Sequence, residues 1–182
     1  MILLVQVRSH PEPELHEQRC FVELGGIPPE RLSCHNVVHR PQIRWQDVEA
    51  AKALMIGGAG VHSATESYDF TEPLRQVVVR WVEEGRPLLG SCWGHHFLAW
   101  ALGGVVATDP AREEVGTFDV TLTEAGSRDE IFAGLPATFA TQLGHHDRVT
   151  RLPAGMVELA YSERCPYQAV RVEGLPVYGT QF

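Results

Sequence analysis

The sequence has no apolar run near the length a membrane-crossing helix needs, so no membrane helix and no membrane partner is expected. Its opening, MILLVQVRSHPEP, lacks the basic n-region and long apolar core of a secretion signal. The five-residue apolar burst there reads as a first buried strand. The four cysteines, Cys20, Cys34, Cys92 and Cys165, contain no CxxC pair and no disulfide-framework spacing. They are expected to be reduced thiols of a cytoplasmic protein, buried by default. There is no HExxH and no cysteine–histidine zinc spacing, although the chain has nine histidines. Neighbouring helical residues such as His95 and His96 point about 100° apart and share one ion poorly, so neither a metal nor a cofactor is expected. A basic surplus is missing too. The net charge is −8 and the pI near 5.5, which argues against nucleic acid as a partner. No repeat, low-complexity tract or linker divides the chain.

What is present fits one domain. The 182 residues are 44% apolar and 21% charged, ordinary for a globular protein with a substantial core. Short apolar runs alternate with longer amphipathic stretches. ILLVQV, CHNVV, ALMIGG and RPLLGS read as strands, and YQAVRV and PVYGTQF as later ones. Residues 14–24 and 68–84 read as helices stopped by Gly25-Gly26 and Gly85, and WGHHFLAWALGG as a third, while WQDVEAAKA is short or irregular. The order βαβαβα predicts an α/β fold with an open, mostly parallel twisted sheet and helices on both faces. VGTFDVTLTEAG, TFATQLGHH and VELAYS add strands to the second half. Trp81 and Trp100 stand at helical spacing and read as core, and Glu83 and Glu84 as a solvated helix end.

The chemistry centres on LLGSCWGHHF, residues 88–97. A strand, a sharp turn and a helix place Cys92 at a nucleophile elbow, flanked by Gly90 and Gly94 in G-x-C-x-G spacing. The glycines answer a strained turn with neighbouring chain close by. At the N-terminus of the following helix the macrodipole favours a thiolate and is expected to lower the Cys92 pKa. The Trp93 N–H is free to donate to an oxyanion. Gly57 and Gly58 end an earlier strand, where open α/β sheets place their ligand crevice. His62 reads as lining the crevice mouth.

At these residues the sequence resembles the class I (triad-type) glutamine amidotransferases. PLLGSCWGHHFLAWALGG is similar to their nucleophile segment, a pattern close to G-x-C-x-G-H-Q. LMIGGAG resembles their oxyanion strand, usually Gly-Gly-Pro. REEVGTFDVTLTEAGSRDEIFAGLP, with Glu114 and Gly116, resembles the β segment that follows, and the chain from QLGHHD to YGTQF resembles the stretch from their His-x-Asp loop to the last strand. The likeness runs from about Leu54 to Phe182 and implies a flavodoxin-like, class I amidotransferase-like fold. It implies that Cys92 attacks the amide of glutamine or of a γ-glutamyl compound, forms a thioester and releases ammonia. It implies that the N–H groups of Gly58 and Trp93 form the oxyanion hole. Gly57, His96, Gly144, His145, His146 and Asp147 would line the substrate, the last four facing its α-amino and α-carboxyl groups largely through backbone. The ammonia would serve a separate synthase subunit or simply leave. His95, at its family position, is expected to pack behind the elbow.

Two departures stand out. His96 occupies the position where the family has a substrate-holding glutamine. The family pattern also continues past the last strand as Gln-Phe-His-Pro-Glu, in which the histidine is the base and the glutamate orients it. Here Gln181 and Phe182 match, and the His and Glu are expected beyond Phe182, in a C-terminal segment that residues 1–182 lack. A non-catalytic binding or regulatory relative, and a Cys-elbow enzyme of the deglycase or peptidase kind, are the alternative readings.

Overall fold

A computed structural model describes residues 1–182. In chain order the elements are β1 (Ile2–Val7), α1 (Pro11–Glu23), β2 (Leu32–Asn36), α2 (Trp45–Val48), β3 (Ala53–Ala59), α3 (Thr71–Glu83), β4 (Leu88–Ser91), α4 (Trp93–Ala101), β5 (Val105–Thr108), β6 (Glu114–Leu122), α5 (Glu124–Ser127), β7 (Thr138–His145), β8 (Asp147–Arg151), β9 (Met156–Ser162), β10 (Ala169–Val172) and β11 (Val177–Thr180). One nine-stranded sheet has the order β2-β1-β3-β4-β11-β10-β9-β6-β7. Its first part, from β2 to β11, pairs parallel. From β11 outward to β7 every pairing is antiparallel. The predicted α/β sheet is therefore observed with its added strands fused to one edge. A separate two-stranded ribbon joins β5 to β8.

Burial follows the two strand environments. β1 is buried almost throughout, with Leu4, Val5 and Val7 fully covered, as expected of a parallel strand sandwiched between β2 and β3. At the far edge β7 alternates, burying Thr141, Leu143 and His145 and exposing the residues between them. α3 buries Leu74, Val77, Val78, Trp81 and Val82, the spacing of one helical face. It closes at Gly85, which takes φ 66°. The main core packs α3 and α4 against the parallel strands, and a smaller core around Val120, Phe132, Leu159 and Tyr178 supports the antiparallel extension.

Some boundaries differ from expectation. α1 begins at Pro11, three residues before the expected start, because proline is tolerated in a first helical turn whose N–H groups are unpaired anyway. β5 and β8 were not expected as strands. They are short, and the chain passes from β7 in one sheet to β8 in the other across the single residue His146, without a Gly or Pro to mark the corner. No helix is long and apolar enough to cross a membrane.

Candidate active site

The parallel strands deliver their carboxyl ends to one rim. Arg8 follows β1, Gly57–Ala59 end β3, Cys92 follows β4 and Gln181 follows β11. The antiparallel half supplies the facing wall through Gly144, His145 and Asp147, at the junction of β7 and β8. Between them lies a cavity of about 350 Å³, a usual size for a small-molecule site. Cys92, Trp93, His96, Gly144, His145, His146 and Asp147 line it, together with the loop 59–63 that includes His62. Of the substrate-contact residues expected from the sequence, only Gly57 lies outside this lining.

Cys92 has φ 51° and ψ −104°, one of two non-glycine residues at positive φ in the chain. Such a conformation costs of order 1–3 kcal/mol and must be imposed by its surroundings. The Cys92 N–H donates to the Thr180 carbonyl of β11 at 2.7 Å, and the Cys92 carbonyl accepts from the His96 N–H at 3.1 Å. The glycines on either side are there for proximity. A Cβ on Gly94 would sit 2.2 Å from the Ile56 carbonyl oxygen of β3, and one on Gly90 would sit 2.5 Å from the Gly94 carbonyl oxygen.

The expected lowering of the Cys92 pKa is not what the structure gives. Burial pushes the thiol up, and this outweighs the pull of the Trp93 N–H, the Arg8 charge and the Gln181 amide, while the Asp147 carboxylate pushes it further up. The helix terminus is present, but desolvation of a thiolate inside the cleft is the larger effect. The resting form at neutral pH is the thiol.

His96 is buried, and its Nε2 meets the Gln181 Oε1. An amide oxygen only accepts, so this bond puts the imidazole proton on Nε2. Burial lowers the His96 pKa to about 4, so the ring is neutral. The other end of this amide, Gln181 Nε2, is buried without a hydrogen-bond partner. His95 lies behind the elbow, as expected, packed so tightly that a Cβ on Gly179 would come within 2.7 Å of its Nδ1.

His145 is spoken for at both nitrogens. Nδ1 bonds the Asp147 carbonyl at 2.8 Å and Nε2 meets Glu114 Oε2 at 3.0 Å, all in the interior. Gln168 Nε2 donates to the same Glu114 oxygen at 2.6 Å. Cys165 closes this cluster, its thiol donating to the Arg112 carbonyl at 3.2 Å and pushed up to about 11 by burial and the Glu114 carboxylate. The cluster fixes the turn of Gly144, His145 and His146 from behind. His146 points outward to Glu113.

Asp147 ties the two halves of the rim together. Its carboxylate accepts from Ser63 Oγ at 2.6 Å, from the Ala64 N–H at 3.0 Å and from Thr108 Oγ1 at 2.6 Å. Although expected at the substrate, it is occupied in holding the loop after β3. Burial pushes its pKa up, but the Ser63 and Thr108 hydroxyls and the Ala64 N–H outweigh this and leave it below the usual carboxylate value. A folded-state pKa below the unfolded one contributes stability at neutral pH that is lost as pH falls through the folded value. Asp147→Ala should therefore destabilise the fold by about 3 kcal/mol at pH 7, and by progressively less as the medium is made acidic below pH 4. Urea unfolding at several pH values checks this, and a constant loss across that range would refute it.

Two rings that line the cleft, His62 and Trp93, are backed by an aromatic cluster in the core. His62 sits edge-on to Tyr68 and Phe70, Phe70 meets Trp93, and Trp93 stacks on Phe97 at 4.8 Å. Gly58 was expected to offer its N–H to the cleft. Instead that N–H donates to Glu17 Oε1 at 3.0 Å, because the buried carboxylate of α1 lies against the Gly57–Gly58 backbone. Glu17 and Arg8 had no place in the sequence reading of the site, and Gln181 entered it only as part of the closing Gln-Phe motif. Glu17 looks like one more charge on a polar helix, and only the fold brings it under the β3 glycines.

Comparison with known proteins agrees with this architecture. A family model described as glutamine amidotransferase class-I matches residues 30–182. The chain is 34% identical over 183 residues to the glutamine-hydrolyzing GMP synthase subunit of Methanopyrus kandleri, an alignment covering 100% of this chain and 87% of that protein. It is 35% identical over 135 residues to the subunit of the same name from Pyrococcus abyssi, covering 74% of this chain and 69% of that one. The fold matches a glutamine amidotransferase crystal structure from Methylobacillus flagellatus with a TM-score of 0.78 at 20% identity, over 99% of this chain and 68% of the other.

Proposed function

The chain belongs to the class-I glutamine amidotransferase family, and on that premise we propose that Cys92 hydrolyses the side-chain amide of glutamine and that the ammonia passes to a separate synthase subunit. The observation that carries this reading is Cys92 itself, forced to φ 51° at the rim where the parallel strands end and opening into the cleft. Strain of this kind at a nucleophile is retained where the surroundings over-determine it. We treat residues 1–182 as one amidotransferase domain. Its four unpaired cysteines suit the reducing cytoplasm, where we place it.

In the reaction the Cys92 sulfur attacks the amide carbon. The carbon–sulfur bond forms as the carbonyl π pair moves to oxygen. Collapse of this adduct expels the nitrogen as ammonia and leaves a γ-glutamyl thioester, which water cleaves to glutamate and the free thiol. In this reading the Trp93 N–H, in the first turn of α4 where backbone donors have no helical acceptor, donates to the oxyanion. Gly144, His145 and His146 offer backbone groups to the α-amino and α-carboxyl ends of the substrate. His96 and Gln181 together take the place of the family's substrate-holding glutamine. The thiol proton must reach the departing nitrogen through a base. His145 has neither nitrogen free for this, and a ring whose pKa is about 4, as in His96, accepts a thiol proton only steeply uphill. In the pattern this chain resembles, that base is the histidine of Gln-Phe-His-Pro-Glu, of which Gln181 and Phe182 are present here.

The relatives from M. kandleri and P. abyssi are each named as one subunit of GMP synthase, which favours a second polypeptide as the ammonia acceptor. The test is covalent capture. Incubation with 6-diazo-5-oxo-L-norleucine, a glutamine analogue with an electrophilic carbon, should give one adduct located by mass spectrometry on Cys92, and excess glutamine should suppress it. A Cys92 that iodoacetamide alkylates but the analogue leaves untouched would remove the glutaminase reading.

A further inference from the structure

The Gly58 N–H is occupied by an anion that belongs to the protein. Glu17 Oε1 accepts it at 3.0 Å. The same carboxylate is held by Arg8 Nη2 at 2.6 Å and by Gln6 Nε2 at 2.8 Å, and Glu17 is buried. It lies so close to the backbone that a Cβ on Gly57 would meet Oε1 at 2.4 Å. The other side of this backbone faces the nucleophile. A Cβ on Gly58 would lie 3.7 Å from Cys92 Cβ and 3.1 Å from Arg8 Nη2.

The peptide between Gly57 and Gly58 is planar and trans, so its N–H and C=O point in opposite directions. With the N–H on Glu17, the carbonyl is turned away from Glu17. Turning this peptide over changes ψ at residue 57 and φ at residue 58. Both residues are glycine, for which either orientation is accessible. A carboxylate bonded to this N–H is an internal competitor for the oxyanion of the reaction.

We propose that Glu17 is a positioning residue that holds the Gly57–Gly58 peptide with its N–H away from Cys92, so the oxyanion hole is completed only when Glu17 releases it. The proposal rests on the glutaminase reading and deepens it. A purely structural carboxylate would need Arg8 and Gln6, but not the one backbone donor beside the nucleophile. Arg8 also has a means of letting go. Its Nε–H is buried without a partner, so an acceptor reaching the guanidinium can draw it off Glu17.

The test compares two reagents on the wild-type chain and on Glu17→Asp. The shorter acid keeps the charge beside Arg8 but withdraws from the Gly58 N–H. The γ-aldehyde of glutamate adds to a thiol reversibly: the S–C bond forms, the carbonyl π pair goes to oxygen, and the thiol proton goes to that oxygen or to solvent. Its adduct needs the oxyanion hole. Iodoacetamide displaces iodide and needs no hole. Cyclisation of the free aldehyde is common to both samples and cancels in the ratio. Glu17→Asp should bind the aldehyde about tenfold more tightly, with the alkylation rate within about twofold of wild type. Equal or weaker aldehyde binding at unchanged alkylation overturns the proposal. Absence of a Cys92 adduct in both proteins overturns the glutaminase reading as well, and so is told apart from failure of the gate alone. Should Glu17→Asp not fold, the Gly58 amide resonance of the wild-type chain decides. It must shift when the aldehyde saturates Cys92, and an unmoved resonance overturns the proposal.

Discussion

Cys92→Ala abolishes glutamine hydrolysis and leaves the fold in place. The expected loss is on the order of 10⁴-fold or more, because no other group in the cleft can form the thioester. Ammonia release read by a coupled assay checks the activity, and circular dichroism with thermal melting checks the fold. Alanine is as strained at φ 51° as cysteine, so its melting point should match the wild type within a few degrees. Cys92→Gly separates strain from chemistry. It should be equally inactive yet more stable by roughly 1 kcal/mol, since glycine adopts positive φ without penalty. An alanine variant that still released ammonia at near wild-type rate would place the nucleophile elsewhere. A glycine variant less stable than the alanine one would mean the elbow is not strained.

The second large effect is on stability. Gly94→Ala places a methyl group 2.2 Å from the Ile56 carbonyl oxygen and 2.8 Å from its carbon. Both atoms belong to the backbone of a central strand, so neither can rotate aside. The first turn of α4 must lift off β3, and with it the Cys92–Thr180 bond. The expected destabilisation is about 3–5 kcal/mol, a large part of the roughly 5–15 kcal/mol that holds such a domain together. Chemical denaturation measures it. If the variant unfolds within about 1 kcal/mol of wild type, α4 does not pack on β3 as closely as described.

Much of this was legible in the sequence, for identifiable reasons. The strand ILLVQV is apolar at nearly every position because β1 is covered on both faces. The tract from Thr71 to Glu83 announces its buried face by helical spacing. The elbow at Cys92 was legible because a strand, two closely spaced glycines and a helix frame it. What stayed hidden depends on partners distant in the chain. Glu17 reads as a surface acid until Arg8 and the β3 glycines are brought over it. The Cys92 pKa could not be signed from the helix terminus alone, since the opposing effect is burial, and burial belongs to the folded cleft. Asp147 was legible as a rim residue, but its duty as a tie to Ser63 and Thr108 was not, because β5 and β8 carry no turn signal to reveal their pairing.

The bond from Cys92 to Thr180 also bears on how the protein is made. β4 and β11 lie side by side in the finished sheet, yet β11 is the last strand in chain order. A ribosome delivers β4 and α4 early, at roughly 5–20 residues per second, and domains take shape from the N-terminal side as they emerge. Throughout the synthesis of β5 to β10, β4 waits with an empty flank and the Cys92 amide without its acceptor. One of the contacts that hold Cys92 at its positive φ is then missing. The elbow is complete only when translation has supplied β11 and that strand has slotted between β4 and β10.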